Sequence, residues 1–257
     1  ALRRISDVLP INHFRGFQTF YPEFASGQGA APFKTTEDYD NNLKRNAQYA
    51  ALVDRMIVRA REGMAQGIMP PRLVVQNVIG QLDNLLAPSV EESLFYEPVT
   101  KFPDAVRAAD RTRLTAAYAK QVRDVLNPAH QRLRAFLQQE YLPEARDTIG
   151  TSALPGGAVY YDYLIESNTT LPLKAEEVHQ LGLREVARIL AEMEKQKDRA
   201  GFQGSLPQFF QHLRTDARFQ PKSAEEIAAG YAEIGKKVDA RVREQFALIP
   251  ETPLDIR

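Results

Sequence analysis

The chain contains no cysteine and no tryptophan. The missing cysteine removes disulfides, thiolate nucleophiles, iron–sulfur clusters and Cys-type zinc sites together. A net charge is missing as well, because 33 basic residues balance 33 acidic ones. No overall basic excess exists to neutralise phosphates, which excludes a charge-driven nucleic-acid binder. No apolar run approaches the roughly 18–20 residues that cross a bilayer. Apolar residues nonetheless make up 44%, which argues against disorder. At 257 residues the chain can bury a large core without staples, as one large domain or two small ones. It begins Ala1-Leu2-Arg3-Arg4 without an initiator Met, and Asp7, Pro10 and His13 follow instead of the apolar core of a signal peptide. The start therefore reads as processed or trimmed. The Pro-rich end, Pro250 to Arg257, reads as a linker cut short.

Strand signals are absent too: there is no alternating β-branched run and no hairpin turn. What is present is helical. Residues 1–34 are aromatic-rich, with Phe14, Phe17, Phe20, Tyr21, Phe24 and Phe33, and read as a short helix followed by a loop that docks by its rings. Thr35 or Thr36 caps the first long helix, with Glu37 and Asp38 in its first turn. Tyr39, Leu43, Ala47, Ala50, Val53, Ile57, Ala60 and Met64 then recur at steps of three and four until Gly67 stops it. Pro70-Pro71 opens a second helix with Val74, Val75, Val78, Leu82, Leu85 and Leu86 on its apolar face, ended by Pro88. A loop over 88–103 holds one short helix near Glu91–Tyr96. Asp104 to Arg146 is a long helical stretch that Pro128 must kink or divide. A short helix over 158–167 carries Tyr160, Tyr161 and Tyr163. Leu173–Ala200 is amphipathic, with Val178, Gly182, Val186, Ile189, Met193 and Ala200 in a stripe. Ser205 with Gln208, and Ser223 with Glu226, form capping boxes for two more helices, the last running to Phe246. The fold class is all-α, a multi-helix array of long and short helices.

Catalytic patterns are scarce. The four histidines, His13, His130, His179 and His212, belong to no His-Glu-x-x-His motif. Glu176 and His179 form a single Glu-x-x-His unit, whereas a di-iron bundle requires two such units and two further acids. Asp54, Glu62, Asp83, Asp110 and Asp124 are single acids on helices, and no pair among them stands out. Leu154-Pro155-Gly156-Gly157 follows no strand and lacks the Lys and Ser/Thr of a phosphate loop, so it reads as a tight turn. Tyr160 and Tyr161, just beyond it, are the candidate substrate-binding residues. Neighbours on a helix point about 100° apart, so one ring should be buried and the other should face a groove or solvent. No catalytic residue and no metal ligand is assigned.

Several motifs taken together resemble the bacterial DUF885 family: Tyr141-Leu142-Pro143 with Arg146, Leu154-Pro155-Gly156-Gly157, Tyr160-Tyr161, Thr169-Thr170, Glu177-x-His179-x-Leu181-Gly182-Leu183, Glu185-Val186, Glu192-Met193, Gly201-Phe202, Phe209, Leu213-Arg214-Thr215-Asp216 and Phe219. Lys174 departs from the small capping residue common there. The resemblance implies mostly helical, neurolysin-like zinc metallopeptidases whose His-Glu-x-x-His helix lies in a second half. On that basis residues 1–257 are expected to be a single helical domain or the N-terminal portion of a larger one, divided into 1–34, 35–146 and 147–257. The chain would form one wall of a peptide-substrate cleft. It would hold no cofactor of its own and be inactive alone, with zinc carried by the absent half. Expected partners are then a peptide substrate, the missing C-terminal half or a second copy. The resemblance also points to the cell envelope or periplasm. The alternative is a metal-free helical binding or interaction protein. If a second half is absent, the Leu173–Ala200 and Ser223–Phe246 helices are expected to carry uncovered apolar stripes.

Overall fold

A computed structural model describes residues 4–29, 31–86, 89–249 and 251–252. The readings placed on Arg3, Pro88 and Leu254 to Arg257 lie outside these residues. Among the described residues the chain is all-α, and its only β feature is an isolated bridge between Pro71 and Arg146. Two compact units emerge, Ala1–Ala175 and Glu176–Arg257.

The first unit is built on α3 (Thr36–Ala65), α4 (Arg72–Leu85), α5 (Ala108–Gln121) and α6 (Asn127–Phe136), preceded by α1 (Arg4–Asp7) and α2 (Phe17–Ala25) and followed by α7 (Gly157–Thr169). Thr35 caps α3 by accepting from the Asp38 amide at 3.3 Å, while the Asp38 carboxylate accepts from the Thr35 amide at 2.8 Å. This reciprocal pair satisfies two of the orphan N–H groups of the first turn. At the other end Gly67 takes the left-handed conformation, with φ 67°. Val53, Met56, Ile57 and Ala60 of α3 pack with Val75, Val78 and Leu82 of α4 and Ala129, Leu133 and Phe136 of α6 in one core. Truncating such a residue to Ala costs about 2–5 kcal/mol.

The apolar period misreads one face of α3. Ala47 is exposed, whereas Asn42 and Asn46 are buried. The reason is hydrogen bonding. Asn42 donates from Nδ2 to the Tyr118 hydroxyl at 3.1 Å and to the Ala25 carbonyl at 3.3 Å. Asn46 accepts from the Tyr21 hydroxyl at 2.9 Å and donates to Gln121 at 3.0 Å. Buried amides are tolerated when paired in this way. These bonds tie α2 and α5 to α3.

Residues 108–141 form one continuous helical run in which α6 is flanked by π-helical turns at Val122–Leu126 and Leu137–Tyr141. Pro128 has no N–H and its ring crowds the carbonyl four residues back. The wider turn just before it accommodates that defect without dividing the run. The expected helix at Glu91–Tyr96 is instead a series of turns leading to a 3₁₀ segment at Glu97–Val99, anchored by buried Phe95 and Val99. Of the N-terminal rings, Tyr21 stacks on Tyr49 at 4.2 Å and Phe33 meets Tyr39 edge-on, whereas Phe14, Phe17 and Phe20 are exposed.

The second unit comprises most of α8 (Ala175–Arg199), then α9 (Leu206–Thr215), α10 (Ala224–Asp239) and α11 (Val242–Gln245). Ser205 and Gln208 form the expected capping box. Ser223 caps α10 by accepting from the Glu226 amide at 3.2 Å, but the Glu226 carboxylate reaches back to the Lys222 amide. The helix expected to run to Phe246 ends at Asp239, and α11 follows after a break at Ala240 and Arg241.

Candidate functional site

The Leu154-Pro155-Gly156-Gly157 turn is set by two glycines with different tasks. Gly156 has φ 68°, a left-handed conformation that an L side chain enters only at a cost. Gly157 opens α7 pressed so closely against the Thr151 carbonyl that a Cβ there would collide with it. Arg146 holds the approach to this turn. Its guanidinium donates to the carbonyls of Met69 and Gly150, both at 2.8 Å. Leu154 is thereby buried with Ile5, Val8 and Ile68, and Tyr160 packs half-buried against that cluster. Tyr161, one step on, is 42% exposed. The two tyrosines therefore sit in different environments. On the same side of the first unit, Asp7, Val8, Arg59, Glu62 and Gln66 line a polar cavity of about 560 Å³.

The five single acids noted in the sequence are paired locally. Asp54 pairs with Arg132, Glu62 with Arg59, Asp83 with Arg134, Asp110 with Arg107, and Asp124 with Lys120 and Arg123. His212 stacks on Phe202 and lies 3.4 Å from Asp216, whose carboxyl is held far below the usual range by Arg218. His130 is fully buried. Its Nε2 lies 3.0 Å from the Tyr49 hydroxyl, and burial pulls its pKa down to about 4. His179 is exposed on α8. Among the described residues no group of three or more His, Asp or Glu is arranged to hold a metal ion, and no helix is long and apolar enough to cross a membrane.

The second unit has a different character. Among its described residues only Leu206 and Gly235 are buried. At about 100° per residue, Val178, Gly182, Leu183, Val186, Ile189, Leu190 and Met193 of α8 share one arc about 140° wide. Val186 is 57% exposed, and Leu183, Ile189, Leu190 and Met193 are exposed with it. The sequence stripe captured one side of this arc, from Val178 to Val186, and missed Leu183 and Leu190 on the other, which a helical projection would have included. On α10, Ile227, Tyr231, Ile234 and Val238 follow one another at steps of four, three and four, and all are exposed. Ile234 and Val238 continue into a mostly apolar groove of about 700 Å³, shared with Val242 and Phe246 and edged by Lys237 and Arg241. The two uncovered stripes expected of these helices are thus present, the second interrupted after Asp239.

A solved structure described as that of "the putative lipoprotein from Colwellia psychrerythraea" is similar to this chain, with a TM-score of 0.82 and 25% identity, over 95% of this chain and 42% of that one. The chain therefore spans less than half the length of that relative. No curated protein matches the chain. These findings overturn the reading of the chain as one wall of a zinc-metallopeptidase cleft, and with it the hydrolase-like assignment. Asp54, Glu62, Asp83, Asp110 and Asp124 are taken up in ion pairs with basic neighbours, no metal-binding group is assembled from the described residues, and the similar solved structure is named as a lipoprotein and not as a peptidase. They support the alternative better, a helical binding or interaction protein. The family model described as "Bacterial protein of unknown function (DUF885)" matches residues 1–257, and the chain belongs to that family.

Proposed function

We propose that the chain is a helical binding or interaction protein in which the first unit is a self-contained core and the second presents apolar helix faces to a partner. One observation carries this reading: the apolar arc of α8 and the seam of α10 are exposed together in a unit that buries only Leu206 and Gly235 among its described residues. Monomeric proteins seldom expose contiguous apolar patches beyond a few hundred Å² unless the patch serves an interaction. Within the first unit, taken by itself, Tyr160 anchors α7 to the buried cluster and the exposed Tyr161 is a separate candidate contact for polypeptide, its ring giving apolar area and its hydroxyl a hydrogen bond. The cell envelope is the proposed location, supported by the likeness to a protein described as a lipoprotein.

An environment-sensitive apolar dye tests the reading. The 257-residue chain should bind the dye, and Val186→Glu with Ile234→Glu should reduce that binding several-fold with helix content unchanged. Absence of dye binding, or binding indifferent to both substitutions, would remove it.

A further inference from the structure

We propose that α2 is an acid-released cover on the first unit: a proton taken up by His130 lifts α2 from α3 while α3, α4 and α6 stay packed. This device belongs to the first unit alone and does not rest on the interaction reading.

The geometry is a cluster of rings. Tyr21 of α2 lies on Tyr49 of α3 at 4.2 Å and stands 6.3 Å from Phe95. Those two rings flank His130 of α6, at 5.6 and 5.7 Å. His130 is fully buried, its Nε2 lies 3.0 Å from the Tyr49 hydroxyl, and its Nδ1 has no partner. An imidazolium donates from both nitrogens. In the closed unit one of those N–H groups finds nothing to accept it, and a buried unpaired donor is costly, more so when charged.

No neighbouring charge offsets that cost. From α3 the ring meets the neutral Tyr49 hydroxyl. From the turn before the 3₁₀ segment it meets Phe95, and the nearby Glu97 carboxylate is held by Gln28. From α2 comes the Tyr21 hydroxyl, one ring further out and bonded to Asn46. The charged side chains of α4 and of α6 itself are engaged in ion pairs of their own, Asp83 with Arg134, Arg72 with Asp147 and Arg132 with Asp54. In the π-helical turns on either side, Asp124 pairs with Lys120 and Arg123, and Glu140 with Arg61. Burial alone acts on the ring and holds its pKa near 4.

Water can reach a protonated ring by parting α3 from α6 or by lifting α2. The first route breaks the core of Val53, Ile57, Leu133 and Phe136, and two bidentate pairs, Arg132 on Asp54 and Arg61 on Glu140. The second breaks less. α2 is nine residues long, holds Pro22 inside it and has no side-chain cap. Its Phe17 and Phe20 are already exposed. Hydrogen bonds from Tyr21 to Asn46, Gln18 to Gln81 and Asn42 to the Ala25 carbonyl tie it down. Segments with few buried contacts are the ones that open below the global unfolding free energy.

Amide hydrogen exchange of the 257-residue chain, normalised to the intrinsic rate at each pH, reads the opening. Between pH 7 and 5 the protection of α2 should fall about twentyfold, the ratio that linkage gives for a ring titrating near 6.5 when uncovered and near 4 when covered. Protection of α3, α4 and α6 should hold. His130→Gln should abolish the fall. An NMR titration of the His130 ring in the native chain decides even where that variant does not fold: uptake of the proton should track the loss of α2 protection. An equal loss over α2, α3 and α6 overturns the inference, because the proton then acts on the whole unit. So does unchanged protection of α2, an undiminished fall in His130→Gln, or a ring that takes up its proton while α2 stays protected.

Discussion

Lowering the pH from 7 towards 4 should strip stability from the first unit through one side chain, His130. Its ring is fully buried, 5.6 Å from the Tyr49 ring and 5.7 Å from Phe95, and its Nδ1 has no partner. Burial disfavours the imidazolium and pulls the pKa to about 4. In the unfolded chain the ring takes up its proton near the ordinary value of about 6.5. Between those values the unfolded state binds more protons, so stability falls as the pH falls. The loss begins near pH 6.5 and levels off below about 4. A shift of roughly 2.5 units at 1.36 kcal/mol each gives a total of about 3 kcal/mol. That is a substantial part of the 5–15 kcal/mol typical of a domain. The assay is urea denaturation at half-unit pH steps, for the native chain and for His130→Gln, which can still bond the Tyr49 hydroxyl but takes up no proton. Subtracting the second profile removes the carboxylates common to both. The difference should grow by about 3 kcal/mol between pH 7 and 4. Parallel profiles, or an NMR titration placing His130 at or above 6.5, would refute the reasoning.

Tyr118→Phe should destabilise the first unit by about 1–3 kcal/mol, because it leaves the Asn42 amide and the Tyr39 carbonyl without the hydroxyl that bonds both at 3.1 Å. A urea midpoint within error of the native one would contradict this, and adding Asn42→Leu should cost less than the sum of the two changes. Gly157→Ala should cost about 1–3 kcal/mol through collision with the Thr151 carbonyl, and a neutral melting curve would show that the turn relaxes freely. Thr35→Ala should cost about 0.5–2 kcal/mol by opening the α3 cap, read as a lowered thermal midpoint.

The helices were legible where apolar residues alone mark the buried face. Val53, Ile57 and Ala60 of α3, Val78 and Leu82 of α4, and Leu133 and Phe136 of α6 all lie in the core that their spacing implies. Asn42 and Asn46 were not legible, because a hydrophobic period discards amides and their burial depends on partners 75 or more residues away on α5. The π-helical turns beside α6 escaped for a related reason. Pro128 announces a defect, but its form follows from packing on both sides of the run. The end of α10 at Asp239 was hidden because Val242 and Phe246 prolong its apolar period past the break. For the candidate site, the stripes on α8 and α10 were visible in the sequence. Their exposure was not, since a stripe reads the same whether or not the chain supplies something to pack on it.

Hydrogen exchange on the 257-residue chain tests the central claim most directly. If α8 and α10 lack an apolar partner, their amides should exchange orders of magnitude faster than those of α3 and α6, whose faces lie in a core. Protection of α8 and α10 equal to that of α3, at all protein concentrations, would show that the second unit has an interior of its own and would contradict the account.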